Sequence, residues 1–440
     1  MIQVMVQVLN REDTTIDIHC NEYPLIGEKI FSQKLSNGLT VFVVPKHGFQ
    51  KCCAFFATDY GGADRRFKLA ENWIDTPAGV AHFLEHKMFD IEGGENALTV
   101  LSANGASPNA YTSTDITAYH FECTEKFTEN LELLLSFVST PYFTSESVEK
   151  EQGIIGQEIL MIEDDPDYCL YYGLMMSLFK HSPIRDSVAG TVESIAEITA
   201  DTLYGCHKVF YNPSNMALCI VGDINPQLVF DIAEKILPKE KGEVPKRDYG
   251  APEELSPNVV RFEKSMEVSL PMFLGGCKST PPLCGRSRLK LFLVSSLALE
   301  VLAGHSSPLF FSLYGQGLVN TDFSASFDAA VGSAYTIFGG ETREPQRVFD
   351  EVVKEICRLT EKGPDPRFFN RLKKAAVGGY VRSLNSFGSI CGAAIEGHFR
   401  GFDVFESPEI LSSITEDDIT TFYRDHLNPA NMAIAIITPQ

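Results

Sequence analysis

One tryptophan, no CxxC pair and no run of eighteen apolar residues occur in this chain of 440 residues. Without such a run, no membrane-spanning helix is expected. The eleven cysteines are an odd number scattered from Cys20 to Cys391, with Cys52-Cys53 as the one close pair. That pattern excludes a disulfide framework and predicts reduced thiols in a cytoplasmic compartment. Basic charge is also scarce: 37 Lys and Arg stand against 58 Asp and Glu, for a net charge of −21. A polyanionic partner such as nucleic acid is therefore disfavoured. The opening stretch MIQVMVQVLNREDTT turns polar and acidic after nine residues and carries no basic leader, which is not the pattern of a secretory signal.

What is present reads as a globular protein. Hydrophobic residues make up 44% and charged residues 22%, ordinary values for a packed chain, and the length calls for two or three domains. Two segments align without gaps: ITADTLYGCHKVFYNPSNMALCIV (198–221) and ITEDDITTFYRDHLNPANMAIAII (414–437). Each predicts a helix capped by Thr199 or Thr415, an Asn-Pro turn and a buried strand. The second copy ends the chain where a domain should end, which indicates duplication. The stretch LPKEKGEVPKRDYGAPEEL, rich in Pro, Gly and charge, marks a linker at 238–256. It divides an N-terminal domain (1–237) from a homologous C-terminal domain (257–440). Strand pairs alternating with helix pairs predict an α+β fold in each half, a mostly antiparallel sheet with helices packed on one face.

The chemistry concentrates in TPAGVAHFLEHKMFD (76–90). Read as a helix over 77–90, it puts His82 and His86 on one face, four residues apart. That spacing lets two imidazoles bind one tetrahedral zinc. Glu85, on the same side, is placed to handle a proton without being a ligand. The order is HxxEH, the inverse of HExxH, and it arises by chance in roughly two of every hundred chains of this composition. A catalytic zinc needs a third protein ligand and leaves a fourth position for water. The helix predicted over VEKEQGIIGQEILMIEDD (148–165) offers Glu151 and Glu158, two turns apart on one face, beside the apolar Ile154, Ile155 and Ile159.

HFLEH followed by this pair of glutamates resembles the insulinase/pitrilysin/mitochondrial-processing-peptidase family of zinc peptidases, and most of all a bacterial cytosolic branch. SNGLTVFVVP (36–45), NGASPNAYTSTDITAY (104–119), EQGIIGQEI (151–159), AGTVESI (189–195) and YNPSNM (211–216) extend the likeness through much of the first half. The resemblance implies a processing-peptidase-like fold and Zn2+ held by His82, His86 and Glu158. It further implies Glu85 as general base, Glu151 in support of the site, and Asn109, Ala110, Tyr111 and Thr112 as an edge strand onto which peptide substrates add. The activity implied is an endopeptidase for short or unfolded peptides. The alternative is a non-catalytic scaffold or peptide-binding subunit of a processing complex. A cysteine hydrolase has little to recommend it, since only Cys206-His207, on a predicted helix, pairs the two residue types.

The chain also departs from the family. Its second half has no HxxEH, and His305, His398 and His426 are isolated. An Arg and a Tyr seven residues apart, which the family uses to bind the substrate carbonyl, are missing from SPLFFSLYGQGLVNTDF (307–323). Leu313 or Tyr314 stands at the Arg position and Asn320 at the Tyr position. Stabilisation of this oxyanion type is commonly worth about 3–4 kcal/mol. The resemblance therefore implies a heterodimer in which a homologous zinc-less subunit supplies the pair.

Overall fold

The computed structural model describes residues 3–7, 17–279 and 285–440, so most of the polar part of the N-terminal stretch lies outside the described residues. In chain order the first elements are β1 (Gln3–Gln7), β2 (Asp17–Tyr23), β3 (Glu28–Lys34), β4 (Thr40–Pro45) and β5 (Cys52–Thr58). A hairpin of β6 (Arg66–Leu69) and β7 (Asn72–Asp75) leads into α1 (Val80–Lys87) and α2 (Ala97–Ala103). Next come β8 (Ser107–Thr112), β9 (Thr117–Cys123), α3 (Phe127–Ser139), α4 (Ser145–Glu163) and α5 (Pro166–Leu178). The first repeat closes with α6 (Val192–Ala196), α7 (Ala200–Phe210), β10 (Met216–Gly222) and α8 (Pro226–Ile236). The second repeat runs β11 (Arg261–Met266), β12 (Met272–Ser279), α9 (Gly285–Ala303), α10 (Pro308–Gly315), β13 (Ser324–Ala330) and β14 (Ser333–Glu341). It ends with α11 (Pro345–Lys362), α12 (Pro366–Ser383), α13 (Phe387–Arg400), α14 (Ser407–Ser413), α15 (Glu416–His426) and β15 (Met432–Pro439).

The duplication read from the sequence is a duplication of topology. One sheet has the order β1-β2-β3-β4-β10-β5-β9-β8 and the other β11-β15-β12-β14-β13. In each, the strand after the Asn-Pro turn lies parallel to the repeat's first core strand and antiparallel to its second. The local chemistry repeats too. Thr199 and Thr415 both form capping boxes, and Asn212 and Asn428 both accept the N–H two residues on. The aligned positions His207 and Tyr423 each hydrogen-bond a carbonyl of the helix beside them, Val138 and Ala298 respectively.

The α+β class is as expected, with one addition. Strands β5 and β10 are buried at every position, because helices cover both of their faces. Thr58 bonds the carbonyl of Phe210 on α7, while on the opposite face Phe55 abuts Gly388 of α13 and the Cys391 thiol reaches the Cys219 carbonyl. The second sheet is treated alike. Met432, Ile434 and Ile436 of β15 join the core built with α9, α11 and α15; Ala433, Ala435 and Ile437 pack with Leu170 and Leu174 of α5. In the order of elements α5 and α13 are equivalent, so each repeat lends the same helix to the other's sheet. The compact units follow this exchange: one comprises Met1–Gly156, Val188–Asp248 and Val381–Phe405, the other Gln157–Ser187, Tyr249–Tyr380 and Glu406–Gln440. The units of packing are discontinuous, whereas the sequence predicts contiguous domains 1–237 and 257–440.

Among the described residues, one helical stretch, Gly285–Gly315, is long and apolar enough to cross a membrane by length and composition. It is broken between α9 and α10, and half of it is buried, with Leu297, Val301 and Leu302 in the core.

The 238–256 segment is tied down along its length: Arg247 pairs with Asp59 and Asp64, and Asp248 with Arg66. The Glu253 carboxylate accepts the N–H groups of Lys180, His181 and Ser182, and Lys278 donates to it at 2.9 Å. Burial opposes its charge, but these donors prevail and hold its pKa down at about 2. A depressed carboxylate pKa stabilises the fold above the unfolded value, and this is lost as pH falls through the folded value. Glu253→Gln should therefore cost about 1.5–3 kcal/mol near neutrality, and the deficit should shrink between pH 4.5 and about 2. Denaturant titrations of both proteins across that range measure it.

Candidate functional site

Helix α1 starts three residues later than Pro77 suggested and spans Val80–Lys87 rather than 77–90. The reason lies in its N-cap. Gly79 has φ +91°, and a Cβ there would lie 2.5 Å from the Ala189 carbonyl oxygen. Gly190 faces it with φ +77°, and a Cβ there would lie 2.5 Å from the Ala78 carbonyl oxygen. Ser194 Oγ donates to that same Ala78 carbonyl at 2.8 Å. The AGTVESI segment is thus the seat of α1, and both glycines permit a backbone approach that no larger residue allows.

On α1, the rings of His82 and His86 stand 4.6 Å apart, centroid to centroid. Glu158 comes from α4. The partition between the two compact units falls inside α4, but α4 is one continuous helix, so helix geometry fixes Glu158 relative to Glu151. Ligand atoms of His82, His86 and Glu158 lie within 4.8 Å of one another, the one such metal-competent group among the described residues. Burial, aided by His86 and opposed by Glu151, lowers the His82 pKa to about 4. Its imidazole is therefore neutral near pH 7, the form that binds metal. Two imidazoles and one carboxylate are a donor set suited to zinc.

The remaining expected residues fall around this trio. Glu151 Oε1 lies 3.2 Å from His86 Nδ1. Burial works to raise the Glu151 pKa, but the His86 hydrogen bond and the Lys87 charge outweigh it and the net shift is downward. Glu151 thus stands behind the second imidazole, in the position from which a carboxylate can fix a histidine ring. Glu85 is 8% exposed, and its Oε2 accepts a 2.6 Å hydrogen bond from Thr112 Oγ1.

Asn109–Thr112 belong to β8, which is the outer strand of its sheet. They do not share one environment. Tyr111 leans toward His120, with centroids 6.3 Å apart, on the face of α13, whereas Thr112 points to α1. Asn109 Oδ1 accepts the N–H of Ala110.

Sequence reading passed over Lys87, although it directly follows the motif. It is 2% exposed and is held between Asp90 and Glu151, at 3.6 Å from Glu151 Oε2. A buried lysine between two carboxylates is a structural tie, here linking the end of α1 to the middle of α4. Arg400 was also missed. It comes from α13 and pairs with Asp59 at 2.8 Å and with Asp115 in the turn after β8. Its partners lie hundreds of residues away in sequence, so no local signal announced it.

Two family models match: insulinase (peptidase family M16) over residues 72–192 and the peptidase M16 inactive domain over residues 197–376. An uncharacterized zinc protease, YmfH of Bacillus subtilis strain 168, is 37% identical over 428 residues, covering 95% of this chain and 99% of its own length. The beta subunit of the mitochondrial-processing peptidase of Caenorhabditis elegans is 28% identical over 161 residues, 36% of this chain and 35% of its own. The crystal structure of an M16-like peptidase from Alicyclobacillus acidocaldarius superposes with TM-score 0.90 at 32% identity, covering 94% of this chain and 99% of that one. A Helicobacter pylori protease with TM-score 0.81 and 18% identity shares the fold.

If the Lys87–Glu151–His86 chain holds the imidazole in place, Glu151→Gln and Lys87→Met should each weaken zinc binding about 10–100-fold. Competition with a chromophoric chelator measures this. Unchanged zinc affinity in both variants would remove the tie from the site.

Proposed function

The chain belongs to the insulinase family of peptidases, family M16, and from that premise we propose that it is a zinc-dependent endopeptidase for short or unfolded peptides, working as the catalytic subunit of a heterodimer. The observation that carries this reading is the convergence of His82, His86 and Glu158 beside a base held at a strand edge. In this reading His82, His86 and Glu158 hold Zn2+. When bound, the ion acidifies water and polarises the scissile carbonyl. Glu85 takes the water's proton on its carboxylate and returns it to the leaving amine. Glu151 fixes the His86 ring and Lys87 fixes Glu151.

Substrate enters as an added strand on β8. Main-chain pairing of this kind tolerates many sequences and leaves selectivity to side-chain pockets. Ser113 N donates to the Ile116 carbonyl at 2.8 Å, which makes that pair hydrogen-bonded. Alternation along the register then turns the main-chain groups of Ala110 and Thr112 outward, to the open edge. Asn109 occupies the Ala110 N–H through its own side chain, a protection that edge strands need and that a peptide would displace.

The heterodimer reading rests on what the second repeat lacks. Tyr314 is 54% exposed on α10, and the Asn320 amide is engaged by Asp322 and Glu341. Neither arrangement supplies an Arg/Tyr pair, so a homologous zinc-less subunit is proposed to do so. One relative is itself named as a subunit of a processing peptidase. The net charge of −21 argues against nucleic acid as a partner, and the ten described cysteines, all free, are consistent with a cytoplasmic setting.

Glu85→Gln should retain zinc and lose about 10²–10⁴-fold in cleavage of an unstructured peptide library. The wild-type chain should gain activity when an Arg/Tyr-bearing homologue is added. Cleavage equal in Glu85→Gln and wild type would refute the base assignment, and full activity of the isolated chain would refute the heterodimer.

A further inference from the structure

We propose that Thr112 is the positioning residue that couples peptide docking on β8 to the orientation of the base Glu85. This rests on the peptidase reading and adds a role that the strand's main chain does not have.

The argument begins with proton counting. Thr112 and Thr117 face each other across β8 and β9, with hydroxyl oxygens 3.3 Å apart. Each hydroxyl has one proton to donate. Thr117 is within 2.9 Å of the Tyr60 carbonyl, an acceptor that has no proton to give, so its proton goes there. Thr112 is left to donate to Glu85 Oε2 at 2.6 Å. A donor to a carboxylate makes a short, charge-assisted bond of about twice the strength of a neutral one. Thr112 is β-branched, and its χ1 has few choices on a strand, so the hydroxyl is aimed rather than free to swing.

The same residue meets the substrate edge. Pairing of Ser113 with Ile116 puts Thr112 in a non-hydrogen-bonded pair with Thr117. Its N–H and carbonyl are therefore turned away from β9, toward the side where no described strand pairs. A peptide added there hydrogen-bonds the main chain of Thr112 while the side chain of Thr112 holds Glu85. Docking and base orientation thus share one residue across one Cα. The end of β8 that carries Thr112 is itself anchored: Arg400 grips Asp115 in the following turn, and Thr117 is fixed to Tyr60.

The test compares zinc-loaded wild type with Thr112→Val, which keeps the shape and removes the hydroxyl, and Thr112→Ser, which keeps the hydroxyl. Thr112→Val should lower kcat about 10–100-fold with KM and zinc content unchanged, and Thr112→Ser should restore most of kcat. Crystal structures should show the Glu85 carboxylate displaced in Thr112→Val and in place in Thr112→Ser. An unmoved Glu85 with unchanged kcat in Thr112→Val overturns the proposal. So does a rise in KM with constant kcat, which would make Thr112 a binding residue only. If the wild-type protein, with an Arg/Tyr-bearing homologue present, cleaves no peptide, the peptidase reading fails. The position of Glu85 in the two variants then still decides whether Thr112 holds it.

Discussion

Everything at the site depends on keeping an eight-residue helix still. A helix as short as α1 is marginal in isolation, yet it must present two imidazoles and a carboxylate at fixed separations. It is fixed at both ends. At the N-terminus the reciprocal approach of Gly79 and Gly190 brings backbone against backbone. At the C-terminus Lys87 binds Asp90 and Glu151. Between them, Val80, Phe83 and Leu84 are essentially inaccessible. The polar side chains are thus held by a frame of apolar packing and two backbone clamps, and their own interactions set only their final orientation.

The exchange of equivalent helices gives that frame its reach. Because α13 covers β5 and β10, the sheet carrying the site is completed by a segment from the second repeat. The Arg400 guanidinium at the end of that helix pairs with Asp59 and Asp115, and Asp115 lies in the turn after the strand that borders Glu85. A mutation near residue 400 therefore bears on chemistry near residue 85 without any path along the chain. Two repeats of this kind do not fold as beads on a string: each lacks the cover for one face of its sheet until the other is present.

Much of this was legible in the sequence. Periodicity and caps located α4, α7 and α15, and the repeat announced the shared topology. The HxxEH order with a downstream glutamate pair named the residues that converge. What was not legible has physical causes. Strands β2 and β3 carry Asp17, Glu22, Glu28 and Lys34 at or near their ends, and their alternation is diluted by polar residues at a sheet margin. Helix α5, PDYCLYYGLMMSL, is apolar almost all round, which hides helical periodicity; it is so because two elements must pack on it, and Gly173 lies where a Cβ would clash with Phe262. Which sheet a helix covers is a long-range choice, and no local pattern records it. Lys87 sat in plain view, but a lysine in the last turn of a helix reads as a solvated C-terminal charge until its burial is known.

The second repeat shows what the chemistry of the first displaces. In element order α9 stands where α1 stands, after the second core strand and before the outer hairpin. It runs Gly285–Ala303, and the residues it buries are mostly leucine, valine and alanine. One buried cation, Arg288, donates to the Ala329 carbonyl. Tyr423 of α15 ties to α9 through the Ala298 carbonyl, whereas the aligned His207 of α7 reaches α3. Helix α1 instead buries Glu85 and Lys87 among its eight residues, groups whose desolvation is unfavourable unless every partner is present. A duplicated fold that kept such a helix twice would carry that penalty twice. Confining it to one copy leaves the other free to build core, and the site is then built on the copy whose short helix two glycines and a lysine have made rigid.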